Sequence, residues 1–269
     1  MWNWTSFGRR CGLLTFALCA SMSSVACRVR SNGPHWIETH GGAAVQQIAG
    51  GPLGLLAIGT NGLVYSYPEF GSLWHEWNGH LRPRIIAGSR AGLHYVDEDG
   101  RVGQAGRWRG GSATRVQAPN VTALATDGDA HSIYAISDGH VMQLLGTGAA
   151  PGPCPQIRAV SIAVARGALW VSDVGGVYVG TDATCDPIAD SPPNVTRLAG
   201  LDDRIFAVNG AGDIYRLSAV KQWQRLPRPL KFRPDRMPAT HPARDIAVTG
   251  TAAWVKDDEG TVFVLSESG

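Results

Sequence analysis

Charge is scarce in this chain, and what there is cancels. Only 17% of its 269 residues are Asp, Glu, Lys or Arg. If residues 1–26 are a removed leader, the loss of Arg9 and Arg10 leaves 22 basic residues against 22 acidic ones. A balanced surface lacks the concentrated positive charge that phosphate backbones require, which excludes general nucleic-acid binding. Cysteine is nearly as scarce. Three of the five cysteines (Cys11, Cys19, Cys27) fall in the first 27 residues, leaving Cys154 and Cys185 for the folded part. A metal site at that pair is not supported, since no histidine sits at zinc-ligand spacing from it, and no metal or cofactor is expected. The chain has no His-Glu-x-x-His, no Gly-x-Ser-x-Gly and no phosphate loop, so it is not expected to be an enzyme. Nor is there an apolar run of the roughly 20 residues that a membrane-spanning helix needs.

What is abundant is glycine, at 34 residues. It recurs in phase, in a Gly-x-Val/Ile unit at Gly62, Gly100, Gly139, Gly175-Gly176, Gly212 and Gly260. The intervals are 38, 39, 36, 37 and 48 residues. Each unit is preceded by a short apolar run of strand character, such as Leu55–Ile58, Leu93–Val96, Ile133–Ile136 and Ile205–Val208. Turn formers lie between run and glycine, as in Thr60-Asn61 and Asp97-Glu98-Asp99, and the glycine supplies the positive φ of a tight hairpin. A further apolar stretch lies upstream in each unit after the first, and Trp74 or Trp77, Trp108 and Trp223 mark a fourth strand downstream. Four-stranded units of about 40 residues are the sequence signature of a propeller. The last unit lacks its fourth strand, while the segment around Trp36 precedes the first. The expectation is therefore an all-β, six-bladed propeller over residues 35–269, closed by the N-terminal strand. The acidic turns Asp97-Glu98-Asp99 and Asp257-Asp258-Glu259 occupy the same repeat position and are expected to be plain hairpins, not calcium sites.

Residues 1–26 read as a signal peptide: two arginines and no acid, then the apolar run Leu13–Val25, then small residues. Ser23-Ser24-Val25-Ala26-Cys27 resembles the lipobox of bacterial lipoproteins. The resemblance implies lipidation of Cys27, with residues 27–34 as anchor and linker, and an outer-membrane lipoprotein of the cell envelope facing the periplasm or the cell surface. In an exported chain, Cys154 and Cys185 most simply form one disulfide.

Three units also carry a family resemblance. Residues 48–77, the run Arg204–Trp223 and the run Asp245–Phe263 resemble tectonin-type propeller repeats in their order of apolar strand, Gly-x-Val/Ile hairpin and aromatic. The resemblance implies lectin-like recognition of glycan or lipopolysaccharide, or alternatively a scaffold that holds other envelope proteins. Candidate contact residues are Trp74 and Trp77, whose faces could stack on sugar. The basic residues Arg228, Lys231, Arg233 and Arg236 of the proline-rich insertion at 227–242, with Arg225 just before it, are candidates for an anionic partner or the membrane surface.

Overall fold

The computed structural model describes residues 34–39, 44–67, 73–78, 80–106, 116–129, 131–146, 148–181, 184–231 and 239–267. The segments predicted as signal peptide and anchor, including Cys27, lie outside these, as do Trp108, Arg233 and Arg236.

The chain opens with β1 (His35–Glu38), then builds blade 1 from β2 (Val45–Ala49), β3 (Leu55–Gly59), β4 (Val64–Tyr67) and β5 (His75–Asn78). Blade 2 is β6 (Ile85–Ser89), β7 (Gly92–Val96), β8 (Arg101–Ala105) and β9 (Val116–Gln117). Blade 3 is β10 (Val121–Thr126), β11 (Ile133–Ser137), β12 (His140–Leu145) and β13 (Gly148–Pro151). Blade 4 is β14 (Ser161–Ala165), β15 (Ala168–Ser172), β16 (Val177–Thr181) and β17 (Thr184–Pro187). Blade 5 is β18 (Val195–Leu201), β19 (Arg204–Asn209), β20 (Ile214–Leu217) and β21 (Trp223–Leu226). The insertion forms a short hairpin, β22 (Leu230–Lys231) with β23 (Ala239–Thr240), before β24 (Ala243–Val248), β25 (Ala253–Asp257) and β26 (Val262–Ser266). These last three strands take β1 as their outermost neighbour to make blade 6. The result is six antiparallel four-stranded sheets arranged as a six-bladed β-propeller, as the repeat implies.

The closure is specific in register: His35 pairs with Ser266 and Glu38 with Phe263. Trp36 is buried in the blade 5–blade 6 core and donates its Nε1 hydrogen to the Pro227 carbonyl at 2.8 Å. Pairing β1 with β26 satisfies backbone groups that an open edge would leave available to other chains.

The recurring glycine does two jobs. At Gly62, Gly100, Gly139, Gly212 and Gly260 the backbone sits at φ between 77° and 82°, which a side chain at that position would strain. Three of these glycines also join neighbouring blades. The carbonyls of Gly260, Gly139 and Gly212 accept hydrogen bonds from Val45, Ala159 and Ala243, each at the entry to the next blade's inner strand. The side chain beside the glycine closes the turn. Asn61, Asp97, Asp173, Asn209 and Asp257 each accept one or more backbone N–H groups ahead of them through Oδ1. The acidic loops are thus hydrogen-bonded hairpin turns.

Apolar side chains fill the spaces between blades. Leu56, Trp77, Ile86 and Tyr95 join blade 1 to blade 2, and Ala163, Trp170, Leu198 and Ile205 join blade 4 to blade 5. The Cys154–Cys185 disulfide is formed, with Cα atoms 5.0 Å apart. It ties the segment entering blade 4 to that blade's outer strand, so the covalent loop encloses the blade.

Candidate functional site

The inner strands of all six blades surround an axial channel of about 530 Å³. They all run the same way along it, so the channel has two chemically different ends. The entry ends of the inner strands lie on the face that also carries the glycine turns and the insertion. There the wall is polar and largely cationic: Gln46 and Gln47 from blade 1, Arg84 from blade 2, Arg197 from blade 5, and Arg244, Asp245 and Lys256 from blade 6. At the far end the strands converge. A Cβ on Gly50 would meet the Val248 carbonyl oxygen at 1.9 Å, and one on Gly88 would meet the Gly50 oxygen at 2.7 Å. Only glycine permits that approach.

How the mouth is held can be read residue by residue. Side chains on the entry strands reach from one blade to the next: Gln47 Oε1 accepts from Ile86 N–H, Ser161 Oγ from Leu198 N–H, and Asp245 Oδ2 from Ile48 N–H. The last of these spans the closure between blade 6 and blade 1. Burial pushes the Asp245 carboxyl above its ordinary range, against the pull of Arg197, of the Ile48 N–H and of Lys256. Arg197 lies 3.6 Å from Asp245 Oδ1. Arg84 donates to the Asp97 carbonyl, and Arg244 to the Gly210 carbonyl. These last two guanidiniums are exposed, and carbonyl oxygens do not neutralise them. Arg84 and Arg244 stand at the same phase of the repeat, two residues before Ile86 and Ile246. Repeat alignment was the signal that could have singled them out.

The residues expected from sequence lie elsewhere. Trp77 is buried between blades 1 and 2, and Trp74 is half-buried with its ring edge-on to Tyr67 at a 5.2 Å centroid distance. They occupy opposite faces of the blade, as strand alternation requires, but both faces are covered by neighbouring blades. His75 and Glu76, between the two tryptophans in sequence, are the residues left exposed. The insertion is cross-braced. Arg225 and Arg228 both pair with Asp213 Oδ1, at 2.6 and 2.7 Å. Partial burial pushes the Asp213 carboxyl up, but the two guanidiniums outweigh it and hold it below the ordinary carboxylate range. Lys231 bridges Glu259 and Thr261 Oγ1 at 2.7 Å each. The described basic residues of the insertion therefore bind it to the turns of blades 5 and 6, beside the channel mouth.

At the far end, Ser89 Oγ lies 3.1 Å from His94 Nε2, with Asp127 close enough to pull electrostatically on the ring. This grouping is structural. Ser89 and His94 are sealed from solvent, and the serine hydroxyl also bonds the Gly92 carbonyl. Desolvation lowers the His94 pKa to about 4, so the ring is neutral at physiological pH.

No family model matches this chain, and no curated protein matches it. Similar solved structures do exist. A protein of unknown function from Bacteroides thetaiotaomicron superposes with a TM-score of 0.61 at 12% identity, covering 87% of this chain and 76% of the other. YCF48 from Cyanidioschyzon merolae gives 0.56 at 12% identity, covering 86% and 98%. Virginiamycin B lyase from Staphylococcus aureus gives 0.54 at 13% identity, covering 87% and 98%. What they share is the fold. The group mixes an enzyme with proteins of other kinds, so function has to come from the site.

Proposed function

We propose that this protein is a non-catalytic binding module that receives an acidic segment of a partner protein at the mouth of its axial channel. The observation that carries this reading is the set of exposed guanidiniums at the mouth, Arg84, Arg197 and Arg244, contributed by three different blades. Arginine presents a planar fork of donors suited to carboxylates. Gln46, Thr122 and Val160 stand in other blades where Arg84 and Arg244 stand in blades 2 and 6, so the ring offers one axial site and not six equivalent pockets. The narrow, glycine-lined far end suits an inserted chain terminus or loop better than a bulky branched ligand. An exported setting, with lipid on Cys27 and the cell envelope as the location, accords with the leader-like sequence and with the disulfide. The protein would then be a scaffold or assembly component. Arg225 and the cross-braced insertion with Arg228 and Lys231 would flank the same entrance.

A second reading, recognition of glycan or lipopolysaccharide, is supported by the tectonin-like order of blades 1, 5 and 6. Its expected stacking residues, Trp74 and Trp77, are engaged between blades, which favours the protein reading.

The test is fluorescence anisotropy with a labelled ten-residue Asp/Glu-rich peptide, alongside a neutral peptide and lipopolysaccharide micelles. The acidic peptide should bind saturably and weaken as salt rises, because exposed charges are screened beyond about 8 Å at physiological ionic strength. The triple variant R84Q/R197Q/R244Q should bind at least about tenfold more weakly, a loss of about 1.4 kcal/mol, while keeping the circular-dichroism spectrum of the folded ring, although loss of the Arg197 partner of Asp245 lowers its melting temperature. Tight binding of lipopolysaccharide but not peptide would replace this reading with the second. Peptide binding unaffected by the triple variant would refute the placement of the site.

A further inference from the structure

The insertion brings a histidine to the acidic turn of blade 6. His241 lies just after β23, where its N–H donates to the Pro229 carbonyl. Its Nδ1 stands 3.6 Å from Asp257 Oδ2 and 3.5 Å from Asp258 Oδ1. The ligand atoms of the three residues lie within 4.8 Å of one another.

Two features separate this cluster from an ordinary acidic turn. The first is the state of Asp257. It is fully buried, and its two oxygens have different duties. Oδ1 accepts the N–H groups of Glu259 and Thr261, at 2.9 and 2.8 Å, and so fixes the carboxylate plane. Among the described residues Oδ2 is buried with no hydrogen-bond partner, and it faces His241. A buried carboxylate oxygen without a donor is costly to maintain, and a cation between it and the imidazole removes that cost. The second feature is spacing. Ligand atoms about 2.0–2.2 Å from a tetrahedral metal are about 3.3 Å apart, so the two separations from His241 need contract by only a few tenths of an ångström, and the exposed Asp258 carboxyl, within 4.8 Å of the other ligand atoms, turns in to complete the set.

We propose that His241, Asp257 and Asp258 form a binding site for one divalent transition metal of the zinc type. The imidazole nitrogen selects against calcium and magnesium, which prefer all-oxygen shells. Asp257 is the preorganised ligand, its second oxygen held by backbone hydrogen bonds in the manner of outer-shell support. Asp258, whose side chain is 45% exposed, gives the ion its route from solvent. Three protein ligands leave a fourth position open to water. Bound there, the metal would fasten the base of the insertion to blade 6 at a point separate from the Lys231 bridge to Glu259. This inference is independent of the peptide-binding reading, because none of its ligands belongs to the channel wall.

The experiment is calorimetric titration of chelator-stripped protein with Zn²⁺, with Ca²⁺ and Mg²⁺ as comparators, followed by thermal melts. One Zn²⁺ per chain should bind, and at a hundredfold excess over Kd the melting temperature should rise by about 5–10 °C. Ca²⁺ and Mg²⁺ should give no shift. H241Q and D258N, both at positions in contact with solvent, should fold normally and lose at least about a hundredfold in affinity. Absence of stoichiometric Zn²⁺ binding would overturn the proposal. So would binding that survives in both variants, since the ion would then sit elsewhere.

Discussion

Reducing the Cys154–Cys185 bridge offers a quantitative test of how the ring is held. The bridge spans 31 positions, and that closed loop contains nearly all of blade 4. In the chain-entropy treatment, freeing a loop of that length returns about 12 cal/mol/K to the unfolded chain, or about 4 kcal/mol at 25 °C. For a domain of this size each kcal/mol lowers the melting temperature by about 2–4 °C, so the fall should be about 8–15 °C. The perturbation is C154A/C185A, since serine at the fully buried position 154 would add an unsatisfied hydroxyl. The assay is a circular-dichroism melt with and without reductant. Wild type should shift when reduced, and the variant should be indifferent to reductant. Hydrogen exchange should rise first in β14 to β17. A variant that melts within about 2 °C of wild type would refute the reasoning, because blade 4 would then have to be restrained in the unfolded chain without the bridge.

Two further outcomes follow from buried side chains. Trp36→Ala removes the anchor of the closing strand along with its bond to Pro227, at a cost of about 3–5 kcal/mol; exchange should accelerate in β1 and β26 before other blades, and uniform loosening would contradict the closure. His94 stays neutral when folded down to a pKa of about 4, whereas the unfolded chain takes up its proton near 6.5. Stability credited to the neutral ring is therefore complete above pH 6.5 and drains as pH falls toward 4, by at most about 3 kcal/mol. Urea midpoints of wild type and H94Q should differ less at pH 4 than at pH 7, and parallel pH profiles would count against it.

Much of the fold was legible because its determinants are local and periodic. A hairpin that needs positive φ advertises itself by glycine, and Gly62, Gly100, Gly139, Gly212 and Gly260 did so at nearly constant spacing. The unpaired Trp36 segment and the strand missing after Val264 complemented each other, so closure could be inferred from counting alone. The site was far less legible. Trp74 and Trp77 looked available because alternation on one strand says nothing about what covers each face, and in a ring both faces of a blade are covered. Arg225, Arg228 and Lys231 looked free because their partners, Asp213 and Glu259, belong to turns 12–28 residues away. The channel arginines went unremarked because the shared repeat phase of Arg84 and Arg244 is marked by no motif, and only the ring brings them together with Arg197. His241 and Asp257 likewise meet through the insertion, a departure from the repeat that no periodic pattern specifies.

The direction of the closing strand has a consequence for how the molecule would sit on a surface. His35 lies beside Ser266, at the end of blade 6 away from the glycine turns. A tether reaching the ring through residue 34 therefore arrives at the rim of the glycine-pinched side. If the proposed lipid on Cys27 holds that stem, the propeller stands like a cup on a table, its arginine-lined opening turned outward to whatever approaches from solution and its narrow base toward the anchor.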